Sequence, residues 1–174
     1  MALLRWIGVI NAAVWLGSLV FFTFVAGPAF FSPEMKDLLK HAYFPGAAAQ
    51  VVLARYFQMQ YFCAAIALLH LAAEWLYTGK PVQRFPSFLL LSLAGLSLAS
   101  GLWLQPRLNE LHQVKYRTTS TPVQRLEAAK SFAVWHGVSQ GTNLVAIAGV
   151  LVYFLGTASP EILPRALGGT KIRS

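Results

Sequence analysis

Four long apolar stretches constrain the fold of this chain more than any other feature of its sequence. They run from Leu4 to Gly27, from Tyr56 to Tyr77, from Phe85 to Leu104 and from Phe132 to Phe154. A helix needs about 20 apolar residues to cross a bilayer, and each stretch meets that length. Charged residues make up only 11% of the chain, against about 25% in a soluble domain. The sequence therefore predicts an all-α integral membrane protein and argues against a soluble enzyme, a disordered chain and a coiled coil.

The prolines and the basic residues indicate how the stretches are bounded. Because proline removes a helical hydrogen bond and clashes with the preceding turn, its positions predict helix ends. The net charge is +8, and we interpret the basic residues as flanks of membrane segments rather than as a nucleic-acid interface. The nine prolines lie outside the interiors of the apolar stretches: Pro28, Pro33, Pro45, Pro81, Pro86, Pro106, Pro122, Pro160 and Pro164.

The connections predict a four-helix antiparallel bundle over residues 1–156, followed by a loosely ordered tail over 157–174. Ser32 and Pro33 are typical of the start of a short helix. Thr121 before Pro122 predicts the start of a helix that continues to Phe154, about 50 Å at 1.5 Å per residue. A bilayer core spans about 30 Å. The third and fourth helices are therefore expected to project beyond the bilayer as a hairpin.

The first apolar stretch is expected to be retained as a membrane segment. It is longer than the apolar part of a signal peptide, which is about 7–15 residues. Its small-residue site, Val25-Ala26-Gly27, is followed directly by Pro28, which hinders cleavage.

Polar residues inside apolar segments are informative because they are costly in lipid and face the bundle or a cavity. We call the end of the bundle with both termini the terminal side and the opposite end the hairpin side. Asn11, His70 and Glu74 are predicted to lie near the terminal side, with His70 and Glu74 four residues apart on one helix face. Two interpretations remain open: an ion pair or hydrogen bond near the interface, or a proton relay or metal site. One histidine with one carboxylate is a weak metal signal.

The hairpin side carries a larger polar group. Two arginines and a histidine there favour binding of an anion, such as a lipid phosphate, through forked charge-assisted hydrogen bonds. The alternative is that the arginines extend to the interface and bond helix-end carbonyls. In the fourth stretch four polar residues recur at helical spacing on one face. The predicted site comprises Arg55, Tyr56, Arg107, His136, Ser139, Gln140 and Asn143.

Nucleotide-binding and zinc-protease motifs are absent from the sequence. There is no Walker sequence, GxGxxG or HExxH, and the single cysteine, Cys63, excludes an intrachain disulfide and a CxxC site. Gly137-Val138-Ser139-Gln140-Gly141 has the GxSxG spacing, but it lies within the fourth apolar stretch and not at the strand-to-helix turn that such a nucleophile needs. We therefore expect a non-enzymatic protein without a cofactor. The alternative is a redox or metal protein that uses His70 or His136 with haem, quinone or copper. Met59 and Cys63 are soft ligands for copper(I), although packing in the core is the simpler interpretation.

Four short motifs in order resemble the transmembrane protein 205 family. The first runs from Trp15-Leu16-Gly17-Ser18 to Pro28, and the others are Arg55-Tyr56-Phe57, Leu104-Gln105-Pro106-Arg107, and His136-Gly137-Val138-Ser139 through Asn143-Leu144. The family usually has an apolar residue, Phe and Pro directly before Arg-Tyr-Phe, whereas Val52-Leu53-Ala54 stands here. The resemblance implies a four-helix membrane protein, whose bacterial members form a domain of unknown function, and it implies no established reaction.

Together these patterns predict a multi-pass protein of a bacterial inner membrane. Its function is expected to be that of a small transporter, or of a binding or partner protein with an anion- or headgroup-binding pocket at one membrane face. The expected partners are the lipid bilayer, an anionic lipid, and either a second copy of the chain or another membrane protein.

Overall fold

The fold is helical throughout the part of the chain that the computed structural model describes, residues 2–79 and 84–159. That part contains no strand. Two five-residue π-helical turns interrupt otherwise regular α-helices. The elements in chain order are α1 (Ala2–Phe21), π1 (Phe22–Ala26), α2 (Gly27–Ala29), α3 (Pro33–Leu39), α4 (Tyr43–Thr78), α5 (Arg84–Ala99), π2 (Ser100–Leu104), α6 (Gln105–Tyr116) and α7 (Pro122–Ala158).

Four segments are long and apolar enough to cross a membrane, as the sequence predicts. They are Leu3–Ala29, Tyr43–Tyr77, Arg84–Tyr116 and Pro122–Ala158, named here the first to fourth segments. In the most apolar stretch of each segment, only 17% to 33% of the residues are buried within the chain. Most of their apolar side chains therefore face outward, including Phe24, Phe62, Phe88 and Val145. A surface of this kind suits lipid and not water.

Pro106 does not end a helix, and here the prediction from proline positions is wrong, whereas Pro28 lies one residue before the first segment ends at Ala29. Each lies inside a continuous helical segment, two residues after a π turn. The N–H of Gly27 bonds to the carbonyl of Phe22, and that of Gln105 to the carbonyl of Ser100, five residues back in each case. The wider π turn shifts the preceding carbonyls away from the proline ring, so the helix continues where a regular turn would clash.

The caps of the connecting helices match their sequence signals. The Ser32 side chain accepts a hydrogen bond from the Met35 N–H at 3.2 Å at the start of α3. Thr121 and Gln124 form a reciprocal capping box at the start of α7. Both predicted helix starts are confirmed. Of the predicted tail, only residues 157–159 lie within the described part, and the first two of them belong to α7.

The segments pack in a closed ring in the order of the sequence. α1 contacts α4 and α7, α5 contacts the same two helices, and α6 packs on both of them near the hairpin. At the opposite end the Arg5 guanidinium donates to the carbonyl of Ala158 at 2.7 Å. The buried core between the four segments includes Ala12, Trp15, Leu19, Cys63, Ala67, Leu90, Leu93 and Val150.

Gly101 permits a close approach between the second and third segments. A Cβ atom at this position would overlap the hydroxyl of Tyr61 and lie 2.9 Å from the ring of Phe57. Gly95, six residues earlier in the same segment, has open space around its Cα. The two glycines therefore provide a matched comparison.

We expect Gly101→Ala to destabilise the protein by about 1–3 kcal/mol through overpacking. Gly95→Ala is expected to be neutral or to stabilise by up to about 1 kcal/mol through helix propensity. Thermal unfolding of the detergent-purified variants measures both. Equal melting temperatures for the two variants would contradict the close contact at Gly101.

Candidate functional site

A cavity of about 500 Å³ lies between the segments. Every helix and both π turns contribute to its lining. Apolar side chains such as Leu19, Phe22, Leu53 and Leu96 share the walls with hydroxyl and amide groups. Its volume falls in the range of about 300–1,000 Å³ that is typical of small-molecule sites.

A chain of hydrogen bonds across the cavity ties three segments together. The Tyr56 hydroxyl donates to Oδ1 of Asn143 at 2.6 Å. Nδ2 of Asn143 donates to the Thr23 hydroxyl, which in turn donates to the carbonyl of Leu19 at 2.6 Å. Thr23 lies in π1, and the neighbouring Phe22 stacks on Tyr56 with ring centroids 4.3 Å apart. This chain fixes π1 against the second and fourth segments.

A second hydrogen-bond network surrounds Gln60, one helical turn further along α4 than Tyr56. Nε1 of Trp15 donates to Oε1 of Gln60 at 2.5 Å, and Nε2 of Gln60 donates to the Ser18 hydroxyl at 3.1 Å. The Ser18 hydroxyl donates to the carbonyl of Trp15 at 2.8 Å. Gln60 is only 2% exposed, yet it lines the cavity. The first and second segments are thus joined through an amide that has both of its polar atoms satisfied.

The cavity wall next to the hairpin is built around His112. The His112 ring stacks on Tyr43 at 5.2 Å between centroids and contacts Phe132 at 6.1 Å. Gly46 makes room for this ring, because a Cβ there would overlap Nε2 of His112. His112 is only 6% exposed and has no hydrogen-bond partner among the described residues. A buried imidazole that lines a cavity without a partner is available to bond a ligand.

The charged part of the lining is entirely basic. Lys36 of α3 and Lys115 of α6 both line the cavity, and Nζ of Lys115 lies 5.0 Å from the centroid of the Tyr116 ring. Among the described residues that line it there is no aspartate or glutamate. The lysines therefore have no acidic partner within the lining itself.

Five of the seven predicted hairpin-side residues line this cavity: Tyr56, His136, Ser139, Gln140 and Asn143. The two arginines do not. Arg55 donates to Gln58 at 3.0 Å, and Arg107 forms an ion pair with Glu110 at 2.8 Å, both on exposed surface. The structure therefore brings His136 to the cavity without either arginine.

Sequence reasoning missed Lys36, His112 and Lys115 as lining residues. A signal for two of them was present, because Leu108, His112 and Lys115 recur at helical spacing in the stretch after Pro106. The structure buries Leu108 and His112 on that face. For Lys36 the sequence carried no signal beyond its place in a short helix.

The three residues predicted at the terminal side, Asn11, His70 and Glu74, lie outside the cavity lining. Nδ2 of Asn11 donates to the carbonyl of Cys63 at 2.9 Å, and Nε2 of His70 lies 2.8 Å from the carbonyl of Leu4. Both side chains thus join the first and second segments. Glu74 is exposed. Across residues 2–79 and 84–159, no three His, Cys, Asp or Glu side chains come together as metal ligands.

The four long apolar helices define the class of the chain, an all-helical protein of multi-pass membrane type. The chain belongs to the family described as a domain of unknown function, DUF4149, whose model matches residues 10–117. That match contains both π turns and His112, and it makes no link by name to the transmembrane protein 205 family. No curated protein and no solved structure matches the chain.

The Tyr56–Asn143 hydrogen bond is expected to couple the second and fourth segments energetically. A double-mutant cycle with Tyr56→Phe and Asn143→Ala isolates this term. We expect a coupling energy of about 0.6–2 kcal/mol, the range for side-chain hydrogen bonds between membrane helices. Unfolding in mixed micelles measures it. Tyr77→Phe, at an exposed tyrosine, is the control, and a coupling energy near zero would contradict the bond.

Proposed function

We propose that this protein is a non-enzymatic, multi-pass membrane protein that binds an anionic group in the central cavity. The observation that carries the proposal is the lining itself, which contains two lysines and two histidines and no acidic residue in the described part of the chain. Cations that face a confined site without acidic partners favour an anionic occupant.

The basic side chains of the lining come from different parts of the fold. Lys36 lies in the connection between the first and second segments, whereas Lys115 and His112 lie in α6 and His136 in α7. Basic residues that only flank membrane segments would not all be expected to line the same cavity. An environment of low dielectric strengthens each attraction between a cation and a bound anion.

Lysines at this site imply a particular kind of recognition. A lysine ammonium is a compact point charge, whereas arginine presents a planar fork of donors that matches a carboxylate or phosphate geometrically. The binding proposed here therefore rests on charge, with the hydrogen bonds supplied by His112, His136 and Gln140. The forked arginine site around Arg55 and Arg107 has weaker support, because Arg107 already pairs with Glu110.

For the membrane arrangement we propose an antiparallel bundle in which the third and fourth helices extend past the bilayer. The packing of helices that follow one another in the sequence side by side supports this arrangement. The hydrogen bond from Arg5 to Ala158 at the end of α7 supports it as well. The 37 residues of α7 span about 55 Å at 1.5 Å per residue, more than the bilayer core of about 30 Å. Transport of the bound anion across a bacterial inner membrane, by one chain or by a homo-oligomer, is one form of this function.

Removing the two lining lysines tests the proposal. The probes are dodecyl phosphate and the uncharged dodecanol, and native mass spectrometry of the detergent-purified protein measures their binding. At about 1 kcal/mol for each lysine, Lys36→Gln with Lys115→Gln should weaken dodecyl phosphate binding about 30-fold. Dodecanol binding should not change.

The matched control is Lys40→Gln with Lys130→Gln, which removes the same charge from exposed lysines outside the lining. The control should bind dodecyl phosphate as the wild type does. Equal losses in both double variants would mean that general surface charge attracts the probe, and the proposed anion site would then be wrong.

A further inference from the structure

The cavity is elongated and changes character from one end to the other. In α7 its lining extends from Phe132 to Ala146, and in α4 from Pro45 to Gln60. These distances are about 21 Å and 22 Å along the helix axes at 1.5 Å per residue. The cavity is therefore several times longer than a small inorganic anion.

The basic groups and the apolar walls occupy opposite ends. His112 contacts Phe132, and it lies against Gly46 near the start of α4, so these residues mark one end, which we call the cationic end. The other end, which we call the apolar end, contains Leu19, Leu96 and Ala146 together with Gln60, whose amide already bonds to Trp15 and Ser18. Leu93 packs against Gly149. Leu96 lies three residues after Leu93, and Ala146 lies three residues before Gly149, so Leu96 and Ala146 lie at a similar depth along the two helices.

The volume suits a small molecule. A cavity of about 500 Å³ lies in the range of about 300–1,000 Å³ that is typical of small-molecule sites, and it admits an alkyl chain with its head group. Apolar walls at one end exclude a fully hydrated anion from that part of the space.

The exposed lining residues indicate where a ligand can enter the cavity. Most lining residues are buried or half-buried, and the exposed ones fall on two neighbouring walls. One wall is the connection after the first segment, and the other is the outer face of α7. The exposed lining residues are Pro28, Phe31, Lys36, Ala42, His136 and Gln140.

We propose that the cavity binds a single-chain anionic amphiphile, which it takes up sideways from one leaflet between Phe31 and Gln140. This inference rests on the anion site proposed above and adds the apolar tail and the route. The head group lies at the cationic end, where Lys36 and Lys115 supply charge and the unpartnered His112 supplies a hydrogen bond. The tail extends to the apolar end, beside Leu96.

Shortening the apolar end tests the position of the tail. Ala146→Phe fills that end, whereas Ala148→Phe places the same side chain on an exposed position of the same helix. Native mass spectrometry with hexyl and dodecyl phosphate measures binding. Ala146→Phe should weaken dodecyl phosphate binding about tenfold or more, equivalent to roughly two excluded methylene groups. Binding of hexyl phosphate should persist, and Ala148→Phe should change neither.

Unchanged dodecyl phosphate binding in a folded Ala146→Phe variant would overturn the amphiphile proposal. Failure of the anion site itself has a different signature, because hexyl phosphate would then bind equally well after both lining lysines are replaced. Should Ala146→Phe not fold, Gln140→Trp at the exposed opening provides the second test. Exchange of bound dodecyl phosphate for its deuterated form should slow in this variant, and an unchanged exchange rate would overturn the lateral route.

Discussion

Polar groups within apolar segments have no water to bond with, and in this protein their mutual hydrogen bonds determine how the segments fit together. Tyr56, Asn143 and Thr23 join three segments through consecutive side-chain hydrogen bonds. The hydrogen bond between Trp15 and Gln60 joins the first and second segments. In lipid the apolar surfaces give little drive for one helix to prefer another, so bonds of this kind select the partners and the rotation of each helix. Because Tyr56, Gln60 and Asn143 also line the cavity, the same bonds shape its walls.

The two π turns also shape the walls of the cavity. Each is five residues long, and each precedes a proline by the same spacing. An inserted residue rotates the following helix relative to the preceding one, which redirects side chains without breaking the segment. Both turns contribute lining residues, Phe22 and Thr23 from π1 and Ser100 from π2. π turns occur often at functional sites, and here they lie on opposite sides of one cavity.

Local patterns predicted the helical class, the four segments and the helix starts at Ser32 and Thr121, because length, apolar composition and capping residues act over a few neighbouring positions. They did not predict that the helix continues through Pro106. That outcome depends on a hydrogen bond to the fifth residue back, which propensity does not encode.

The composition of the site was predictable only in part. The face of α7 with His136 and Asn143 was found because its spacing is regular. The arginines do not line the cavity, because successive residues of a helix point about 100° apart. A helix that turns Tyr56 inward directs Arg55 outward, and one that buries Leu108 exposes Arg107. The rotation of each helix about its axis depends on contacts between segments that are distant in the sequence, so a local pattern does not predict it.

Photolabelling in native membranes shows whether the cavity holds the tail of an anionic amphiphile. The probe is dodecyl phosphate with a diazirine at the end of its tail, and peptide mass spectrometry locates the label. We expect label on Leu96 or Ala146 of the cavity lining, and we expect excess unlabelled dodecyl phosphate to abolish it. Label confined to lipid-facing residues such as Phe62 and Val145, and unaffected by the competitor, would contradict this expectation.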